Sequence, residues 1–336
     1  MNPNLKQHKN CLKRYNYKNN SYFCSRKQPF MPIRVPQNLP AIELLKEEGI
    51  RIEAPAPKCK PLRIAILNLM PKKIETETDL IRLLSASPLP LEVLLMKLRS
   101  HTPKNTPAEH MEAFYRYFDE MQEEHFDGFI ITGAPVEHLE FEQVNYWPEL
   151  CKIFTWARTH VRSTLYICWA AQAGLYFHYG IRKYPLPEKK FGIFPQMPLL
   201  PQLPIFRGFD GIFPMPHSRH TEIRKEDIIR ANEKLKIQNS KLKTQNEELT
   251  IIVESPLSGV SMVMAREGKE FFITGHLEYS PWRLDTEYKR DLGKGLPIQK
   301  PYNYYRDDDP KKGPLYTWHT HGKLLFQNWL KYYVLP

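Results

Sequence analysis

Cys168 sits where a nucleophile would sit. It lies in TLYICWAAQAGLYFHYG, Thr164 to Gly180, at the point where a short β-branched and aromatic run gives way to small residues. Ser163 to Ile167 suits a buried strand, and Ala170, Ala171, Ala173 and Gly174 let a following helix pack closely. A thiol on such a strand-to-helix turn faces a cleft, and the helix N-terminus stabilises its thiolate. The backbone N–H of Trp169 is then placed to serve an oxyanion hole. The same pattern also fits a buried structural cysteine, since free cysteine is among the most buried residue types. A base is needed to choose between the two.

EFFITGHLEYS, Glu270 to Ser280, offers that base, because an apolar strand-like run ends in Gly275, His276, Leu277 and Glu278. In extended chain, residues two apart face the same way, so His276 and Glu278 project together. A base beside a thiol, oriented by a carboxylate that stabilises its charged form, is the logic of a nucleophilic triad. An isolated H-x-E reads as a solvent-facing pair at a strand end; beside the Cys168 turn it reads as the rest of a triad.

The elements that must position these residues alternate from Leu62 onward. RIAILNLM predicts a buried strand, IETETDLIRLLSAS a helix, LEVLLMKL a second strand, and residues 109–122 another helix. Strand FDGFIITGA, helix WPELCKIFTWARTH and strand TLYICW follow. Such alternation implies an α/β fold, a doubly wound, mostly parallel sheet with its functional groups at the carboxyl ends of the strands. MPKK (Met70 to Lys73), TGAPVE (Thr132 to Glu137) and Cys168 all stand at such ends. Neither G-x-G-x-x-G nor G-x-x-x-x-G-K-[ST] occurs, so nucleotide binding by those routes has no support.

Beyond about residue 185 the pattern weakens into a Pro-rich loop at Phe194 to Pro204, two strand-like runs (Thr250 to Ser255 and Gly259 to Arg266) and the GHLEY segment. Thr221 to Leu249 is polar and reads as a surface helix or excursion; its leucines 235, 242 and 249 are too few for a coiled coil. WHTHGKLLFQNWLKYYVLP predicts a closing amphipathic helix.

With 336 residues, the chain can build one large α/β domain with elaborations or two small ones. No apolar run approaches the roughly 20 residues of a membrane span. Cysteines 11, 24, 59, 151 and 168 lack the spacing of a zinc site or a disulfide scaffold, which points to a reducing, cytoplasmic setting. HSRH at 217–220 and HTH at 319–321 have no companion ligands at suitable spacing, so no metal is expected. Seven of the formal +11 charges fall in residues 1–30, which hold no Asp or Glu, leaving an ordinary +4 for the remainder. That basic extension reads as a disordered tail or as the product of an upstream start, with Met31 the true one. A nucleic-acid-binding role through it is the rival from a different class, and it would show steep salt dependence.

Taken together, these motifs resemble the homoserine O-acyltransferases of methionine biosynthesis, most of all the homoserine O-acetyltransferases. The match runs from MPIRVPQNLPA at Met31 through LNLMPKKIETE, NTPAEH, FDGFIITGAPVE, STLYICWAAQAGL, FRGFD, PHSRHTE, TGHLEY, PYNYYRDDDP and HGKLLFQNWL. Residues 1–30 lie outside it, and the stretch near Glu233 to Asn246 is longer than the family usually carries. The resemblance implies a flavodoxin-like sheet similar to class I glutamine amidotransferases, in a single catalytic domain over 31–336 with a polar insertion near 221–249. It also implies a ping-pong acyl transfer: Cys168 would attack an acyl-CoA, His276 would act as base and acid, and Glu278 would orient His276. Lys73 matches a lysine near the active site, and Lys189, Ser218 and Arg290 match the positions that contact homoserine. Relatives that use succinyl-CoA tend to carry glycine where this chain has Glu137, which implies acetyl-CoA as the donor. The expected partners are therefore acetyl-CoA and L-homoserine in a homodimer, with no cofactor, no nucleic acid and no membrane. A glutaminase-type amidotransferase, which shares the cysteine, histidine and glutamate, is the nearest enzymatic rival, with a succinyl-CoA-dependent transferase beside it.

Overall fold

The computed structural model describes residues 31–50, 52–53, 60–242 and 247–335. The basic segment 1–30, cysteines 11, 24 and 59 and part of the polar stretch, 243–246, lie outside the described residues. The chain opens with β1 (Met31–Arg34), α1 (Pro40–Glu47), β2 (Ile52–Glu53), β3 (Leu62–Leu67), α2 (Lys73–Ser85) and β4 (Leu91–Lys97). Next come α3 (Ala108–Phe114), β5 (Tyr115–Tyr117), β6 (Phe126–Ile131), α4 (Trp147–His160), β7 (Val161–Ile167) and α5 (Trp169–Tyr179). The second half holds β8 (Tyr184–Pro198), β9 (Phe213–Glu222), α6 (Lys225–Leu242), β10 (Leu249–Ser255), β11 (Gly259–Ala265), β12 (Glu270–Ile273), α7 (Arg283–Gly293) and α8 (His319–Trp329).

Among the described residues, twelve strands form one sheet. Its parallel core runs β4-β3-β6-β7-β12, the flavodoxin-like order, with β1 and β2 continuing parallel beyond β4. Beyond β12 the sheet turns antiparallel through β11, β10, β8 and β9. The unbroken apolar run of β3 follows from burial on both faces. Ile64 and Ile66 pack with Leu80 and Leu84 of α2 and Trp329 of α8, whereas Ala65 and Leu67 pack with Phe154 of α4 and Ala170 of α5. Gly174 lets α5 lie directly on the sheet, because a Cβ there would come within 2.9 Å of Tyr166 and Phe272.

Three expectations change. The helix predicted over 109–122 ends at Phe114, and Tyr115–Tyr117 instead pairs with Leu95–Lys97 of β4. Aromatic side chains fit a pleated surface, so pairing outweighs the helical period. The Pro-rich segment is not a loop throughout, since β8 runs to Pro198; Pro195 stands opposite Pro214 of β9, so two residues without N–H share one ladder position. The polar stretch contributes α6, buried at Ile228 and Ala231, while Asn232 ties it to the backbone of Leu249 through both its amide N–H and its carbonyl oxygen.

Candidate active site

The parallel register of β7 and β12 sets Ile167 beside Ile273, so the chain leaves both strands at the same edge. Cys168 then adopts φ +55° and ψ −115°, a left-handed conformation unfavourable for a side chain, and its N–H donates to Ile273 O at 2.6 Å. It is the residue immediately before α5, at the positive end of that helix. Gly133, after β6, packs against it; a Cβ at that glycine would lie 3.2 Å from Cys168 Cβ. Trp169 is the first helical residue, and its backbone N–H has no intrahelical acceptor. Its indole is buried against Phe141 and Tyr146, with an N–H that finds no hydrogen-bond partner among the described residues.

His276 and Glu278 do meet, although by a different route from the alternating strand predicted for them. β12 stops at Ile273 and the chain turns, anchored where His276 N–H donates to Pro216 O of β9 at 2.8 Å. Only glycine fits at 275, since a Cβ there would come within 2.3 Å of Met215 Sδ and 2.9 Å of Pro216 O. The turn brings His276 Nδ1 to 2.6 Å from Glu278 Oε1, with both side chains buried. That bond fixes the imidazole and leaves Nε2 as the atom free to exchange a proton. Burial alone would push the imidazole pKa down; the charges of Cys168 and Glu278 outweigh it and raise it above the ordinary value. Tyr279 stacks flat on the ring, with centroids 4.0 Å apart.

Two buried cations stand out, one of them beside Cys168. Lys73 is buried beyond the end of β3, where its ammonium donates to the carbonyls of Asn68 and Met70. Burial lowers its pKa to about 8, against the opposing pull of Glu77. Arg219 was not expected from the sequence. It is fully enclosed, donating to Thr221 O, Ser258 O and His217 Nδ1, and burial lowers its pKa while the Cys168 charge raises it. HSRH held the residue in view, but only the fold reveals that this arginine points inward.

Lys189, Ser218 and Arg290 come together from β8, β9 and α7 around a residue the sequence reading omitted, Glu287. The Lys189 ammonium and the Ser218 hydroxyl both donate to its carboxylate, the latter at 2.9 Å and 3.0 Å, and Arg290 lies 3.7 Å from it. Arg290 also forms a forked pair with Asp291. Burial and then the Glu287 charge raise the pKa of Tyr279, whose ring stacks on that of His276. Glu137 is half-buried after β6, with its carboxylate near the rings of His138 and His220. Those three donors lie within 4.8 Å of one another, which corrects the expectation that HSRH has no companion ligands. The fold supplies the companions from a loop some eighty positions away, so no spacing in the sequence could signal them. The trio can hold a divalent cation only with an open side, because His138 is exposed.

Among the described residues no helix is long and apolar enough to cross a membrane. Residues 32–336 match the family described as homoserine O-succinyltransferase. A homoserine O-acetyltransferase of Bacteroides fragilis is 61% identical over 308 residues, covering 90% of this chain and 96% of the relative. One of Acetivibrio thermocellus is 51% identical over 308 residues, with the same coverage of each. Among solved structures, a glutamine amidotransferase from Thermotoga maritima superposes with a TM-score of 0.51 at 14% identity, over 82% of this chain and all of that one, which shows the shared fold. The extent of the family match and the identity to these relatives make this chain a member of the homoserine O-succinyltransferase family.

Proposed function

We propose that this protein transfers an acetyl group from acetyl-CoA to the hydroxyl of L-homoserine through a thioester on Cys168. The observation that carries the reading is that the Cys168 turn and a buried histidine held by Glu278 leave the same ends of the neighbouring strands β7 and β12. The Cys168 thiolate attacks the thioester carbonyl of acetyl-CoA, Trp169 N–H serves the developing oxyanion, and the Lys73 charge supports it as the family resemblance implies. As the C–S bond to CoA breaks, the His276 imidazolium gives its proton to the departing thiolate. L-Homoserine then attacks the acetyl-enzyme, His276 Nε2 takes the hydroxyl proton, and Cys168 leaves as thiolate to restore the starting ion pair. A reducing compartment such as the cytoplasm keeps Cys168 available for this cycle.

Glu137 supports acetyl over succinyl. A carboxylate there occupies space and repels a second negative charge, at a cost on the order of a few kcal/mol, or about a hundredfold in rate. Side-by-side assays of CoA release with acetyl-CoA and succinyl-CoA are expected to show acetyl preference, and Glu137→Gly is expected to shift that preference about a hundredfold toward succinyl-CoA. Succinyl preference in the parent protein would keep the thioester chemistry and refute the role of Glu137. Glutamine hydrolysis without either transfer would favour the amidotransferase reading.

The Lys73 charge gives the reaction a pH signature. Because burial holds its pKa near 8, the ammonium is present below that pH and lost above it. kcat/KM is expected to fall as pH rises through about 8. Lys73→Met should remove this limb while lowering the rate about a hundredfold at pH 7. A limb that persists unchanged in Lys73→Met would assign it to another group.

A further inference from the structure

The loop after β6 and strand β9 bring together three metal-ligating side chains, of which the acyl transfer proposed above uses only one. Glu137 and His138 are neighbours in that loop, and His220 comes from β9. Their carboxylate oxygen and imidazole nitrogens all lie within 4.8 Å of one another, and the two imidazole rings stand 4.6 Å apart between centroids. We propose that this trio binds a divalent transition-metal ion of the zinc class, and that an ion held there blocks the acyl donor. The site follows from the three side chains themselves, whereas the block rests on the reading of Glu137 as the residue that meets the donor.

Ligand type and spacing both select the ion. Two imidazoles with one carboxylate suit zinc, cobalt or nickel, whereas calcium and magnesium take oxygen ligands. Ligands held about 2.1 Å from a tetrahedral ion stand about 3.4 Å from one another, so the trio needs to close by about 1.4 Å at most. His138 is exposed, so its side chain is free to turn inward by that amount. The donors are also uncommitted. Among the described residues no hydrogen bond and no ion pair to lysine or arginine engages the Glu137 carboxylate, and no hydrogen bond engages a ring nitrogen of His138 or His220. Lys183 donates to the Glu137 backbone carbonyl instead, at 3.0 Å. Three protein ligands leave one coordination position open to water. The loop that carries Glu137 passes Gly133, which packs against Cys168, so the ion would tie this loop to β9 at the same end of the sheet as the thiol. It would also replace the negative charge of Glu137 with a net positive one and fill the space beside it.

Zinc binds thiolates too, so the test must separate the trio from Cys168 and from the cysteines of residues 1–30. Zn2+ binding is followed by titration calorimetry in Cys168→Ala and in the same protein carrying His138→Ala as well. Inhibition of acetyl transfer by Zn2+ is measured in the parent protein and in His138→Ala. Cys168→Ala is expected to bind a Zn2+ ion whose affinity falls about a hundredfold when His138 is also replaced, at least the loss that removal of an outer partner of a metal ligand causes. In the parent protein Zn2+ should inhibit competitively with acetyl-CoA, and EDTA should restore the activity. His138→Ala should match the parent's metal-free activity and need about a hundredfold more Zn2+ for the same inhibition. Equal Zn2+ affinity with and without His138 would overturn the site. Equal inhibition of the parent and His138→Ala would place the inhibiting ion on the Cys168 thiolate and overturn the block, as would binding at the trio with transfer unimpaired. Absence of transfer by the metal-free parent would overturn the acetyltransferase reading and the block with it, while the calorimetry would still decide the site.

Discussion

Cys168→Ala is expected to lower acetyl transfer to L-homoserine by about four orders of magnitude or more, because it removes the atom proposed to carry the acyl group between the two substrates. Intact-protein mass measurement after mixing with acetyl-CoA should show one acetyl adduct on the parent chain and none on the variant. The substitution is small, and the strained turn is set by the backbone: Ala at φ +55° is no better placed than Cys. Global stability should therefore change by no more than about 1 kcal/mol, checked by chemical unfolding. Cys168→Ser is the stricter control, since it keeps an oxygen in the turn but loses the sulfur that would carry the acyl group. It too should give no CoA burst. Retention of more than a tenth of the activity in Cys168→Ala would mean that homoserine attacks the bound acyl-CoA directly, and the ping-pong scheme would fail.

What the sequence made legible follows from which physical constraints are local. LRIAIL and STLYI read as strands because burial on both faces leaves unbroken apolar runs, and the small residues after Cys168 mark a helix pressed onto the sheet, as Gly174 is. His276 and Glu278 were visible as residue types, yet the reason offered for their meeting, strand alternation, is not the one the fold uses; β12 ends three residues too early, and Gly275 with the contact to Pro216 makes the turn instead. Glu287 and Arg219 were hidden for one reason. Each owes its importance to partners distant in the chain: Lys189 lies 98 positions and Ser218 lies 69 positions from Glu287. Ser258, whose carbonyl receives the Arg219 guanidinium, is 39 positions away. A lone Glu in a helix or Arg in a strand gives no local sign that the fold will enclose it.

The second large effect is expected at His276. His276→Ala should lower kcat/KM for both acetyl-CoA and L-homoserine by about four orders of magnitude, because in the proposed cycle one side chain serves both halves. The structure allows a finer expectation. In the parent protein the imidazole is held charged by the opposing charges of Cys168 and Glu278, with its pKa raised despite burial. Removing the ring removes the cation that stabilises the thiolate, so alkylation of Cys168 by iodoacetamide at pH 7 should slow about tenfold or more. Glu278→Gln keeps a hydrogen-bonding side chain at the same place and removes only its charge. Its loss should be smaller, on the order of a hundredfold, with the imidazole pKa moved down toward the ordinary range. The ordering matters more than either magnitude. If Glu278→Gln cost as much as His276→Ala while alkylation of Cys168 stayed fast, the carboxylate would be acting on substrate directly rather than through the histidine. If His276→Ala left alkylation unchanged, the thiolate would owe its stability to the α5 N-terminus and the enclosed Arg219 guanidinium, and the histidine would be a proton carrier alone.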